Sequence, residues 1–183
     1  MSLDVIIGGM FSGKSSELIR ILKRSRAIGK KILVVNSSKD TRSPEDVLRT
    51  HDNVVFNCVK VARLQDLTGM PGFHNSEVIA IDEAQFFTDL REYVQGFVNA
   101  GKEVIVAGLD GDFRQRKFGE ILECIPIADR VTKLTALCMS CRDGTPGPFT
   151  QRTINSDELE LIGDSNMYRA VCRSCLTRTS HPN

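Results

Sequence analysis

No stretch of this chain approaches the roughly 18 consecutive apolar residues that a membrane-spanning helix needs, and its first ten residues lack a basic region followed by a long apolar run. Those absences argue against a helical membrane span and a secretory leader, and predict a cytoplasmic protein. Charge of one sign is missing too: 24 basic against 23 acidic side chains leave a formal net charge of +1. No domain-wide basic field is available to hold nucleic acid, and no run of like charge suggests a tail. Internal repeats and low-complexity segments are absent as well. What is there, 41% hydrophobic and 26% charged residues over 183 positions, is the composition of one globular domain with a small appendage. Such a chain is large enough to bury a core without disulfides.

Short β-branched runs alternate with helical patterns, which predicts an α/β fold with a mostly parallel sheet. The runs are Val5–Ile7, Ile32–Val35, Val78–Ile81, Val104–Ala107 and Val131–Leu134. They lack polar alternation and therefore read as strands buried on both faces. Between the first two, Ser15–Ile28 places apolar residues at 18, 19, 21, 22 and 28, with Arg20, Lys23, Arg24 and Arg26 on a solvated outer face and Gly29 as the stop. A second helix is expected from about Asp89 to Asn99, closed by Gly101. Val54–Val61 reads either as a strand or as an edge hairpin. Beyond Leu137 the pattern changes to a Gly144-Thr-Pro-Gly-Pro148 loop framed by cysteine pairs, so a boundary is placed near residue 136. It separates a 1–136 α/β nucleotide-binding core from a 137–183 metal-stapled lobe.

Gly8, Gly9, Met10, Phe11, Ser12, Gly13, Lys14 and Ser15 match the G-x-x-x-x-G-K-[ST] phosphate loop. The spacing has a physical basis. A glycine-rich turn lets successive backbone N–H groups face phosphate oxygens, and the following helix adds the positive end of its dipole. Lys14 would reach the outer phosphates of ATP and the Ser15 hydroxyl would ligate Mg²⁺. A second acidic site follows Val78–Ile81, where Asp82 and Glu83 stand at the C-terminal edge of a buried strand, the edge at which open α/β sheets bind ligands. Asp82 suits the magnesium side, and Glu83 suits a base that takes the proton of an attacking hydroxyl. The alternative is an acidic helix N-terminus stabilised by the dipole.

Six cysteines divide into Cys58 and Cys124, read as buried small hydrophobes, and the pairs Cys138/Cys141 and Cys172/Cys175. Two C-x₂-C turns supply four thiolates, the donor set of a closed, structural zinc site. A redox pair, or a zinc ribbon that contacts nucleic acid, is the alternative use of the same residues.

Phosphate loop, Asp-Glu strand end and four-cysteine lobe together resemble the type II thymidine kinases. The stretches that carry the resemblance are 9–15, Lys39-Asp-Thr-Arg42, Thr50-His-Asp52, the Asp82-Glu-Ala-Gln-Phe-Phe-x-Asp89 segment, Gly108-Leu-Asp-Gly-Asp-Phe113, 133–141 and 168–175. The resemblance implies a RecA-like core and a zinc lobe whose "lasso" loop closes over the base, with transfer of the γ-phosphoryl group of ATP to the 5′-hydroxyl of thymidine. It implies Glu83 as catalytic base and Arg42 as a residue offsetting developing charge, with Asp40 and Gln85 beside the ATP-binding residues. Phe86, Phe113 and Tyr168 would surround base or sugar, and Thr150 would lie near the base. Leu159, Glu160, Leu161, Ile162 and Gly163 would be the lasso stretch that reads the pyrimidine edge. His51 reads as a hydrogen-bonded structural histidine. A homotetramer and feedback inhibition by the triphosphate end product are further implications. The chain departs from the family at Gly9, often proline, at Asp164, where the lasso commonly has glycine, and in the loop after Cys141, which looks somewhat longer than usual. A kinase for another nucleoside such as deoxyuridine, and a DNA-associated ATPase, are the competing readings.

Overall fold

A computed structural model describes residues 1–41, 47–49, 55–154 and 167–180. In chain order its strands and helices are β1 (Ser2–Gly8), α1 (Lys14–Ala27), β2 (Ile32–Ser37), β3 (Val47–Arg49), β4 (Val55–Asn57), β5 (Val59–Val61), α2 (Pro71–Asn75), β6 (Val78–Ile81), α3 (Leu90–Asn99), β7 (Glu103–Gly108), β8 (Arg130–Leu134), β9 (Ala136–Leu137), β10 (Pro146–Gly147), β11 (Phe149–Arg152), β12 (Tyr168–Val171) and α4 (Arg173–Ser180). Six strands form one sheet in the order β5-β2-β6-β7-β1-β8, and every neighbouring pair in it is parallel. The C-terminal ends of all six therefore lie along one edge.

The sheet is covered on both faces, as its unbroken apolar runs require. Leu3, Val5 and Ile7 of β1, Ile79 and Ile81 of β6, and Val104 and Val106 of β7 pack with Leu90, Val94 and Phe97 of α3. The alternate residues Ile6, Val78, Ala80, Ile105 and Ala107 pack with Leu18, Ile19, Ile21 and Leu22 of α1. Helix α1 ends as expected: Gly29 adopts φ 79° and donates its N–H to the Arg26 carbonyl at 3.0 Å. Gly101 closes α3 in the same way, with φ 84° and an N–H bond to Val98 of 2.9 Å.

Three local expectations change. Ile28, assigned to the buried face of α1, is 73% exposed because the helix has already ended at Ala27. Val131–Leu134 is not buried on both faces; β8 is the outermost strand, and Arg130, Val131 and Lys133 are exposed. The segment around 54–61 realises both of its alternatives. Val55–Asn57 pairs antiparallel with β3 as a hairpin, whereas Val59–Val61 joins the sheet edge beside β2.

The remaining small strands form the lobe. β9 pairs with β10 and β11 with β12, both antiparallel, and a separate apolar cluster of Cys138, Val171, Cys172, Cys175 and Leu176 fills it.

Candidate active site

The phosphate loop leaves β1 at the shared C-terminal edge. Gly8 has no room for a side chain: a Cβ there would lie 2.4 Å from the Leu134 carbonyl oxygen and 2.7 Å from Ser12 Oγ. Phe11 and Gly13 adopt φ 63° and 85°, and such left-handed steps turn consecutive N–H groups toward one side of a loop. Within the loop the Ser12 hydroxyl and the Lys14 ammonium both donate to the Gly9 carbonyl, at 2.8 and 2.7 Å. Lys14 is buried, so its cation sits directly under the loop. The Met10 N–H is donated to Thr150 Oγ1 of β11 at 3.0 Å, joining the loop to the cysteine lobe.

Asp82 and Glu83 follow β6. The Asp82 N–H continues the ladder to Val35 at 2.9 Å, and its Oδ2 accepts the Ser15 hydroxyl at 2.9 Å. Its Oδ1 is buried without a hydrogen-bond partner among the described residues. Burial, then the neighbouring Glu83 charge, push the Asp82 carboxyl up to about 7, against the opposing pull of the Ser15 hydrogen bond and the Lys14 cation. A buried carboxylate with an orphan oxygen, beside a hydroxyl at the start of a helix, is a hard oxygen donor set. It fits one or two protein contacts to Mg²⁺, which keeps its remaining ligands as phosphate and water.

Glu83 adopts φ 50° and ψ 40°, a left-handed conformation that costs a non-glycine residue about 1–3 kcal/mol and collects at functional sites. Its Oε2 accepts the Gln85 side-chain amide at 2.7 Å. Gln85 is itself fully enclosed: its Oε1 accepts the Leu109 N–H at 2.9 Å. A Cβ on Gly108 would come within 2.7 Å of that oxygen, and one on Gly119 within 2.3 Å of the Gln85 carbonyl. The amide expected beside ATP thus spans Glu83 and the backbone after β7. Asp40, after β2, is buried, with Oδ2 accepting from Asn36 at 3.1 Å and its carbonyl accepting from Lys60 at 3.0 Å.

The expected aromatic residues fall into two groups. Phe86 is buried and meets Phe118 edge-on, with centroids 5.8 Å apart. Phe113 carries the Arg152 guanidinium on its face at 3.8 Å, and Arg152 also donates to the Tyr168 hydroxyl at 2.8 Å. A cavity of about 540 Å³ lies beside Gly9 and Thr150, walled by the 110–117 loop and by Pro148 and Phe149. Lys14, Ser15, Asp82 and Glu83 are not among the residues that line it, so the reacting groups stand outside it. Arg42, His51 and Leu159–Gly163 lie outside the described residues. Phe118 and Arg152 were not singled out in the sequence. The signal for Arg152 was its spacing of two from Thr150, which puts both on one face of a strand.

The four lobe cysteines converge. One ligand atom from each of Cys138, Cys141, Cys172 and Cys175 lies within 4.8 Å of all the others, and Cys141 Sγ stands 3.5 and 3.8 Å from those of Cys175 and Cys172. Tetrahedral zinc with bonds of about 2.3 Å separates its sulfurs by about 3.8 Å, so the cluster fits Zn²⁺. The surroundings favour thiolate at Cys138, whereas the neighbouring sulfurs of Cys175, Cys138 and Cys172 push the Cys141 thiol up to about 12. Cys138 Sγ accepts N–H groups from Cys172 and Cys141 at 3.2 and 3.4 Å, and Arg178 donates to Cys175 Sγ at 3.0 Å. Burial alone would raise the Cys138 thiol, but the backbone donors bring it down to about 6.

Comparison with known proteins agrees with this geometry. The family model described as thymidine kinase matches residues 1–176. A thymidine kinase of Myxoma virus (strain Uriarra) is 46% identical over 174 residues, covering 94% of each chain. Thymidine kinase a of Arabidopsis thaliana is 45% identical over 94% of this chain and 73% of its own. The cytosolic thymidine kinase of Cricetulus griseus is 41% identical over 97% of this chain and 74% of its own. With the phosphate loop, the acid pair and all four lobe cysteines inside the matched span, this chain belongs to the thymidine kinase family.

Proposed function

We propose that this chain transfers the γ-phosphoryl group of ATP to the 5′-hydroxyl of thymidine, with Glu83 as the base. The observation that carries this reading is the placement of Glu83. Its carboxylate is held by Gln85 in a strained backbone step one residue from Asp82, and Asp82 bonds Ser15 of the phosphate loop. A group that activates a hydroxyl must stand next to the phosphoryl site without occupying it, and the position of Glu83 beside Asp82 supports that role. In this scheme Lys14 and the loop N–H groups orient the phosphates. Ser15 and Asp82 would hold magnesium, which when bound offsets phosphate charge. Glu83 accepts the 5′-hydroxyl proton as the hydroxyl oxygen attacks the γ-phosphorus and the bond to the β-phosphate oxygen breaks, releasing ADP, and Gln85 acts as its positioning residue. Phe86, Phe113, Tyr168 and Thr150 enclose the nucleoside, Arg42 and Asp40 serve the phosphate side, and 159–163 closes over the base. Zinc in the four-thiol site is structural. Residues 1–136 form the nucleotide-binding core and 137–183 the nucleoside-closing lobe of a cytoplasmic homotetramer.

The test is a coupled assay with thymidine, deoxyuridine, deoxycytidine and single-stranded DNA as separate additions. Thymidine-dependent turnover yielding thymidine monophosphate is expected, and turnover with deoxyuridine alone would shift the substrate. Hydrolysis stimulated only by DNA would overturn the kinase reading. Glu83→Gln should retain ATP binding while turnover falls about 10²–10⁴-fold; full activity in that variant removes Glu83 from its role. Light scattering that shows only a monomer would dismiss the tetramer.

A further inference from the structure

We propose that Arg152 is the positioning residue of the nucleoside pocket: its guanidinium fixes the ring of Phe113 and the hydroxyl of Tyr168 in one geometry, and so sets the width of the aromatic wall. The inference rests on the nucleoside-kinase reading and assigns a role that the family motifs do not carry.

Three observations converge on this side chain. Arg152 and Tyr168 are direct partners in the β11–β12 ladder, and Arg152 Nη2 donates to the Tyr168 hydroxyl at 2.8 Å. The guanidinium carbon lies 3.8 Å from the Phe113 centroid, the distance of a plate stacked on a ring face, and 5.3 Å from the Tyr168 centroid. One planar cation therefore spans two elements far apart in sequence: the loop after β7 that carries Phe113, and the lobe hairpin that carries Tyr168.

The backbone on both sides is already fixed. Asp112 Oδ1 accepts the N–H groups of Arg114 and Arg116 at 2.8 and 2.9 Å, and Gly111 bridges Lys117. On the lobe side, the Thr153 N–H bonds the Met167 carbonyl at 2.8 Å, immediately past Arg152 and Tyr168. What such a frame leaves undetermined is side-chain rotation. A phenyl ring half-buried at the end of a loop turns about two torsions, and a stacked guanidinium holds it by cation–π attraction while its Nη2–H fixes the tyrosine oxygen. Because Arg152 donates to that oxygen, the tyrosine proton is directed away from it. The consequence falls on substrate binding. Arg152 acts through Phe113 and Tyr168 and not on the phosphoryl group, so its loss changes nucleoside affinity and spares the chemical step.

The experiment compares wild type, Arg152→Met, Phe113→Leu and the double variant by steady-state kinetics, with zinc content and thermal midpoint as folding controls. Arg152→Met keeps the stem and removes plate and charge. The expected result is a nucleoside KM raised about tenfold, with kcat and the KM for ATP within about twofold. In the Phe113→Leu background the arginine change adds little, because its main partner is gone. A wild-type nucleoside KM in Arg152→Met overturns the inference, as do KM effects that multiply in the double variant or a loss confined to kcat. Should Arg152→Met fail to fold, Arg152→Lys decides the matter: a KM raised at least about threefold supports the stacked plate, whose planarity lysine lacks, and an unchanged KM overturns it. The sequence also supplies a binding readout. With no tryptophan and two tyrosines, Tyr93→Phe leaves Tyr168 as the sole strong emitter. Its titration with thymidine should weaken about tenfold when Arg152→Met is added. If wild type phosphorylates no nucleoside, the kinase reading has failed; if it does and Arg152→Met behaves as wild type, this inference alone has failed.

Discussion

Asp82 is under two opposing demands. It is buried beside Glu83, which raises its carboxyl to about 7 from an ordinary 3.8, and in the proposed mechanism it would hold a divalent cation, which requires the charged form. A carboxyl whose folded value is raised binds its proton more tightly in the folded than in the unfolded chain. Its protonated form therefore favours folding at low pH, and that contribution is lost as pH rises from about 3.8 through about 7. Without added magnesium or nucleotide, the thermal midpoint of the wild type should fall across that window relative to Asp82→Asn, which has no proton to lose. Parallel pH profiles for the two proteins would show that Asp82 does not titrate there. Magnesium with ATP should flatten the wild-type profile, since a cation at the carboxylate replaces the proton. At this scale the meeting of the Lys14–Ser15 loop with the Asp82–Glu83 pair at one sheet edge was legible in the sequence, because each follows a buried strand of a parallel sheet. Their conformations were not. The left-handed step at Glu83 has no signature in its residue type, and the burial of Gln85 behind it and the stacking of Arg152 on Phe113 depend on contacts made by residues 24 or more positions away.

Elements were legible where one periodic signal dominated. The β-branched runs of β1, β2, β6 and β7 are apolar on both faces because helices cover both faces, and local sequence records that directly. Val131–Leu134 has the same composition and a different position, since strand order is set by crossovers that no single run encodes. Helix α1 tests the packing half of the account. Leu22 is fully buried against the sheet, so Leu22→Ala should destabilise the fold by about 2–5 kcal/mol, read as a lower urea midpoint, while Ile28→Ala at the exposed end should change it by less than about 0.5 kcal/mol. Gly119 tests the segment that backs the site. It has φ 61°, and a Cβ there would meet the Gln85 carbonyl at 2.3 Å, backbone against backbone. Gly119→Ala should displace Gln85, and through it Glu83, lowering kcat more than it raises the KM for ATP. Unchanged kinetics in a folded Gly119→Ala protein would separate Gln85 from the positioning of Glu83.

At the scale of the whole molecule, the core and the lobe are stabilised by different means. The sheet is sandwiched between two apolar layers, whereas the apolar cluster of the lobe holds five buried residues among those described, three of them cysteines. A unit so small rarely folds on apolar burial alone and depends on a metal or disulfide. Its four cysteines gather at one point with no disulfide among them, so a bound cation is what would hold β9–β12 and α4 together. The lobe in turn touches the phosphate loop, through Thr150 on the Met10 N–H and through the Pro148 carbonyl, which would lie 3.2 Å from a Cβ on Gly9. Removal of zinc should therefore act unequally. Nucleoside-dependent turnover should vanish as the Phe113–Arg152–Tyr168 wall loses its lobe half. The parallel sheet, followed by circular dichroism, should persist, and a fluorescent ATP analogue should still bind, more weakly because Met10 has lost its partner. Cys172→Ser should reproduce the effect without a chelator. Loss of ATP-analogue binding and of the sheet together with zinc would mean that core and lobe fold as one cooperative unit, and the proposed division at residue 136 would then describe sequence composition only.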